Sequence, residues 1–282
     1  MRRLLLLTDA LNFKIGLLDF ACYIARQEKS KLVGVFVEEH ILDAHPSIKS
    51  LGGRTYVEEI TRTEDELIKD AAEVAHNIKL FQEGCQKREV NSVAHHYTND
   101  IFKSVIHETR YADLLILDPS VNPGNEDAVP SDFAISLLRS SECPVVIAPE
   151  DAEQISEIVF AFDGSRSSVF AIKQFCNLLP QFTKRKITVV HVNKTGRDEG
   201  HDTERALLNE WLTMHFLEVA FVELSGDPED ELFKYFMEMR NRNDKMFVTG
   251  AYGRGIVSSL LKPSAADLVL KAFDLPVFIT HF

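Results

Sequence analysis

The sequence repeats itself in order, and this limits its folds more than any other feature. LLLLTDALN at 4–12 is echoed by IVFAFDGSR at 158–166, and KLVGVFVEE at 31–39 by KITVVHVNK at 186–194. ADLLILDPS at 112–120 is echoed by NDKMFVTGA at 243–251, and ECPVVIAPE at 142–150 by DLPVFITHF at 274–282. Four echoes in one order predict two copies of one fold. The copies span 1–150 and 156–282, joined by the polar stretch EDAEQIS at 150–156.

Within each copy, near-continuous apolar runs alternate with helical periodicity. Ile15, Leu18, Cys22 and Ala25 mark one helix, and Leu67, Ala71, Val74, Ile78 and Phe81 another. In the second copy Val169, Ile172, Phe175, Cys176 and Leu179 mark the first helix, a second spans about 203–216, and a third runs through Leu232, Phe233, Phe236 and Met237. This alternation predicts an α/β fold of two repeated doubly wound domains, each a mainly parallel five-stranded sheet flanked by helices. Sheets of this kind bind ligands beyond the carboxyl ends of their strands, where the strand order reverses. The segment 39–63, containing Gly52-Gly53, is expected to be a loop or partial helix, with a lid or partner surface as the lesser alternative.

Composition narrows the partners. A formal charge of −12 argues against nucleic acid or an anionic membrane, both of which need a basic face. The apolar run after Arg2-Arg3 stops at Thr8-Asp9, too short for an export signal, and no run approaches the ~18 apolar residues of a membrane span. A cytoplasmic location is expected. The four cysteines have no metal-like spacing, and Cys22 and Cys176 fall in apolar helical patterns, as buried thiols do. His95-His96, His107, His40 and His45 lack a completing ligand in sequence, so no metal site is expected and these histidines read as scattered over the surface. No residue has a clear claim to catalysis, and enzymatic activity, at most weak ATP hydrolysis, is the weakest reading.

The stretch 246–282 carries the functional signal. An apolar strand (246–249) leads into Gly250, Gly253 and Gly255, then a helix (264–273) and a closing strand (276–280). Glycines between a strand end and a helix start let backbone N–H groups converge on an anion. Neither the dinucleotide fingerprint nor a P-loop is present. Arg254, between two glycines, offers a guanidinium suited to phosphate, with a solvated loop arginine as the equal alternative.

The spacing resembles that of the ATP-binding universal stress proteins, which carry Gly, two residues, Gly, nine residues, Gly-Ser/Thr. Gly250, Gly253 and Ser264 fall at three of those four places, and Pro263 takes the fourth. The resemblance implies an adenine nucleotide alpha hydrolase-like domain binding ATP or a related adenine nucleotide, with Mg accompanying it. It implies that Asp163 contacts the nucleoside, that Val192 lies beside the base, and that Gly250, Gly253, Arg254, Ser264 and Ala265 surround the phosphates and ribose. Proline has no N–H to donate. Pro263-Ser264 also suits a helix start, and Asp163-Gly164-Ser165 also reads as a strand-end turn with Ser165 as cap.

The first copy has lost the corner. Pro119 and Asn122 replace the two glycines, and Glu126 and Asp127 add charge that opposes phosphate, so this copy is expected to bind no nucleotide although it keeps Asp9. The resemblance further implies that the last strands pair, 145–148 against 277–280, making the chain an intramolecular pseudo-dimer that can itself form homodimers. The function implied is a stress-response regulator with protein partners of unknown identity. The alternative is a scaffold that binds no nucleotide and acts through protein contacts.

Overall fold

Leu4, Leu5, Leu6 and Leu7 of the first strand are all fully buried, so this strand is covered on both faces. In a strand successive side chains alternate sides, and the four leucines divide accordingly. Leu4 and Leu6 join one apolar layer, Leu5 and Leu7 the other. In a computed structural model, the structure describes residues 1–38, 46–51, 54–59, 64–123, 131–152, 154–193, 201–239, 244–250 and 275–280.

The first half contributes β1 (Arg3–Asp9), α1 (Ile15–Gln27), β2 (Lys31–Val37), a hairpin of β3 (Pro46–Leu51) and β4 (Arg54–Glu59), α2 (Glu64–Lys87), β5 (Ser92–Tyr97), α3 (Ile101–Arg110), β6 (Leu114–Leu117), α4 (Asp132–Ser140) and β7 (Val145–Ile147). The second contributes β8 (Glu157–Phe162), α5 (Arg166–Leu178), a short 3-10 turn (Pro180–Lys184), β9 (Lys186–Asn193), α6 (His201–Thr213), β10 (Val219–Ser225), α7 (Pro228–Met239), β11 (Lys245–Gly250) and β12 (Val277–Thr280).

These strands form one ten-stranded sheet in the order β10-β9-β8-β11-β12-β7-β6-β1-β2-β5, and β3 and β4 form a separate pair. Each half therefore has the doubly wound order third, second, first, fourth, fifth. Within the ten-stranded sheet, pairing is parallel throughout each half. The halves join where β12 runs antiparallel to β7, with Val277 opposite Ile147, Phe278 opposite Val146 and Ile279 opposite Val145. The expected pseudo-dimer is thus built by continuing one sheet through both copies.

Helices cover both faces. Buried residues of α1, α2, α5 and α6 belong to one apolar layer, those of α3, α4 and α7 to the other, and each layer runs through both halves. Phe278 of β12 meets Phe175 of α5 edge-on at 5.4 Å, close to the joint. The link between halves lies against α1, where a Cβ on Gly16 would stand 2.0 Å from the Glu150 carbonyl oxygen. Tyr23 of α1 stacks edge-on against Phe182 across the halves at 5.7 Å.

The segment 39–63 departs from expectation. Instead of a loop or partial helix it contains the antiparallel β3–β4 hairpin, with Leu51 opposite Arg54. The reason is legible afterwards: Ile48, Thr55, Tyr56 and Val57 favour strands, and a Gly-Gly pair between two such runs is a tight-hairpin signal. Helix α6 also ends at Thr213, short of the expected 216. His95 is half-buried, its Nδ1 2.6 Å from Glu108 Oε1, whereas His96 is exposed as expected, its Nε2 3.2 Å from Glu38 Oε2.

Candidate functional site

In the second half the strand order reverses between β8 and β11. Asp163 directly follows β8, Val192 is near the end of β9, and Gly250 ends β11. These three residues, separated by up to 87 positions, share the carboxyl rim of three adjacent strands. Gly253, Arg254, Ser264 and Ala265, together with Pro263 and the expected helix at 264–273, lie outside the described residues.

The turn after β8 is built locally. Asp163 Oδ1 accepts from the Ser165 backbone N–H at 2.9 Å, and Gly164 supplies the left-handed backbone at φ 73° that closes the turn. Ser165 then caps α5, its hydroxyl oxygen accepting from the Ser168 N–H at 3.2 Å. Burial pushes the Asp163 carboxyl up, but hydrogen bonds from Ser165 and Ser168 outweigh it and hold the group below its ordinary value. Asp163 is thus an ionised acceptor on a half-buried rim. Beside it, His191 is buried and donates its Nδ1–H to the Phe162 carbonyl at 2.8 Å, and Val192 is buried.

Gly250 is there for a packing reason. A Cβ at this position would lie 2.1 Å from Ser167 Oγ and 2.6 Å from the Ser167 carbonyl oxygen, so the first turn of α5 needs a glycine beneath it. The Ser167 hydroxyl is buried with no hydrogen-bond partner among the described residues, as is that of Thr280, which pairs with Gly250 across β11 and β12. Buried hydroxyls of this kind cost free energy unless something satisfies them.

The corresponding corner of the first half is filled by charge. Asp9 accepts from the Leu11 and Asn12 N–H groups at 2.8 and 3.0 Å. Lys14 Nζ stands 2.9 Å from Asp118 Oδ2 and donates to Ser120 Oγ at 2.6 Å. Burial, with the nearby Glu38 and Asp118 carboxylates, pushes the Asp9 carboxyl up in spite of its two backbone donors. The same strand-end aspartate is therefore shifted in opposite directions in the two halves.

This ion pair was not anticipated, yet a signal existed. Extending the sequence echo puts Lys14 opposite Ser168 and Asp118 opposite Thr249, so a cation and an anion in the first copy stand where the second has two neutral hydroxyl residues. Ser131, the counterpart of Ser264, is fully buried. It accepts from the Ala134 N–H at 3.0 Å as the cap of α4 and donates to the Val121 carbonyl at 2.5 Å. Among the described residues no group of histidine, cysteine and carboxylate side chains is arranged to hold a metal, and no helix is long and apolar enough to cross a membrane.

A sheet wound on both faces, its strand order reversing beside an ionised strand-end acid, defines the class: a doubly wound α/β protein. Within that class, comparison with solved structures identifies the tandem universal stress protein fold. A universal stress protein from Archaeoglobus fulgidus superimposes with a TM-score of 0.65 at 14% identity, over 99% of this chain and 96% of that one. A putative universal stress protein from Pseudomonas aeruginosa gives 0.58 at 15% identity, over 100% and 93%. A protein of unknown function, also from Pseudomonas aeruginosa, gives 0.56 at 15% identity, over 100% and 92%. No family model matches the sequence, and no curated protein matches it.

Proposed function

We propose that the chain is a stress-response regulator of the universal stress protein type that binds an adenine nucleotide in its second half only, at the crevice between β8 and β11. One observation carries this reading: Asp163 is ionised beside neutral hydroxyl residues, whereas the matching corner of the first half is closed by the Lys14–Asp118 pair. An ionised carboxylate suits ribose hydroxyl donors, and the Ser167 hydroxyl, buried without a partner among the described residues, lies beside the same rim. The spacing of Gly250, Gly253 and Ser264 supports a phosphate-facing turn there, with Arg254 and Ala265 beside it. Whether the nucleotide is ATP, and whether Mg accompanies it, belongs to the same proposal.

A second reading has its own support. The packing of Ser167 accounts for Gly250 without any ligand, and Ser131, the first-half counterpart of Ser264, caps a helix. Under that reading the protein is a scaffold for protein contacts.

Calorimetric titration with AMP, ADP and ATP, with and without Mg, separates the two. The nucleotide reading expects one site per chain with micromolar affinity, abolished by Asp163→Ala and by Gly253→Arg and untouched by Lys14→Ala. No heat at millimolar nucleotide sinks it in favour of the scaffold. Pro263→Gly is expected to raise affinity, because it restores a backbone donor at the turn.

A further inference from the structure

Two of the four cysteines meet in space. Cys22 on α1 and Cys85 on α2 are 63 positions apart, and their sulfur atoms lie 3.9 Å apart. Both are buried, but Cys22 lines a cleft of about 820 Å³ whose walls include Asp19, Tyr23 and Arg88, together with Ala152 and Gln154 of the segment joining the halves. Arg88 is held at this wall by donating its Nε–H to Asp19 Oδ1 at 2.6 Å and an Nη1–H to the Gly84 carbonyl at 2.9 Å. The helices are close at this level: a Cβ on Gly84, next to Cys85, would stand 2.6 Å from Leu18 Cδ2.

We propose that Cys22 and Cys85 form an oxidisable dithiol, reached through this cleft, that takes a hydroperoxide as its oxidant and closes to a disulfide. The sulfurs need to approach by a little under 2 Å to reach the bonded distance of about 2.05 Å. The hydrogen bond from the Cys22 thiol holds the Cys85 thiol below its ordinary value, with help from Ser92 and Arg88 against burial, while the same bond and burial push Cys22 up. After loss of one proton the pair thus shares the other. By contrast, burial pushes Cys143 and Cys176 up to about 12, and neither has a thiol partner among the described residues.

The chemistry balances as follows. Within the singly deprotonated pair the shared proton passes from Cys22 to Cys85, and the sulfur of Cys22, the residue of the two that lines the cleft, attacks the terminal oxygen of the hydroperoxide. The O–O bond breaks and an alcohol, or water when the oxidant is hydrogen peroxide, leaves with a proton from solvent. Cys85 then displaces hydroxide from the Cys22 sulfenic acid, forming the S–S bond, and the Cys85 proton leaves with the hydroxide as water. Two thiols lose two electrons and two protons, and the hydroperoxide is reduced.

Stoichiometric hydrogen peroxide added to the reduced full-length protein tests this, with free-thiol counting and peptide mapping without reductant. The expected result is loss of two of the four thiols, one Cys22–Cys85 linked peptide lighter by two hydrogens, and full reversal by dithiothreitol. Cys143→Ser should leave the linkage intact, and Cys22→Ser and Cys85→Ser should each abolish it. Thiol loss spread over Cys143 and Cys176, or oxidation of the unsubstituted protein without the linked peptide, overturns the proposal whatever the variants do. Nucleotide titration does not enter these readouts, so this inference stands or falls separately from the proposed function.

Discussion

At the residue scale, two side-chain arrangements yield direct tests. Gly250→Ala would drive a Cβ to 2.6 Å from the backbone oxygen of Ser167, which belongs to a helix and cannot swing aside. Overpacking of this kind costs about 1–3 kcal/mol, and urea unfolding without any nucleotide should show it; an unchanged midpoint would mean that α5 does not press on β11. Glu157 provides the second test. It is buried, accepts from Thr188 Oγ1 at 2.6 Å, and pairs with Lys245 and Lys186 at 2.7 and 3.1 Å. Burial raises its carboxyl, but these partners outweigh that and bring it from 4.5 to about 2. Because the folded value lies below the unfolded one, the ionised group stabilises the fold above pH 4.5, and that contribution is lost as pH falls toward about 2. Glu157→Gln should therefore cost about 3 kcal/mol at neutral pH, and the unfolding free energies of variant and parent should converge on acidification. A constant difference across that range would show that ionisation of Glu157 has no part in it.

At the element scale, β12 is the critical strand. It pairs in parallel with β11 and antiparallel with β7, and Phe278 at its centre is fully buried against Phe175. Truncating such a ring leaves a cavity, so Phe278→Ala should lower stability by about 3–5 kcal/mol in denaturant titration. A loss under about 1 kcal/mol would mean the neighbouring side chains collapse into the space. The prolines of the Cys-Pro-Val-Val and Leu-Pro-Val-Phe segments are compatible with edge positions, but the pairing itself was expected only from the resemblance to universal stress proteins. The β3–β4 hairpin was not foreseen, although strand-favouring residues flank Gly52-Gly53; an insertion found in the first copy alone has no echo to check it against.

At the scale of the whole molecule, the joint between β7 and β12 closes what would otherwise be two open sheet edges. Expressed separately, residues 1–150 and 156–282 would each expose that edge. Mixed, they are expected to associate one to one, detected by size-exclusion chromatography with light scattering. Failure of the two folded pieces to associate would show that the strand joint and the contacts around Tyr23 and Phe182 are too weak to hold the halves without the covalent link.

What the sequence determined by itself was whatever recurs at short range. Near-continuous apolar runs, helical periodicity, strand-end aspartates and the Ser165 cap specify the elements, because each signal lies within a few neighbouring residues, and the ordered echo of those local signals specifies the two copies and the doubly wound class. What only the tertiary structure decided were the meetings between distant segments: Lys14 with Asp118, Cys22 with Cys85, Ser167 beneath Gly250, and His95 with Glu108. Those contacts depend on which faces of separately formed elements come together once the sheet is assembled. Local periodicity says that a face is buried, but the packing of the whole sheet chooses what it is buried against.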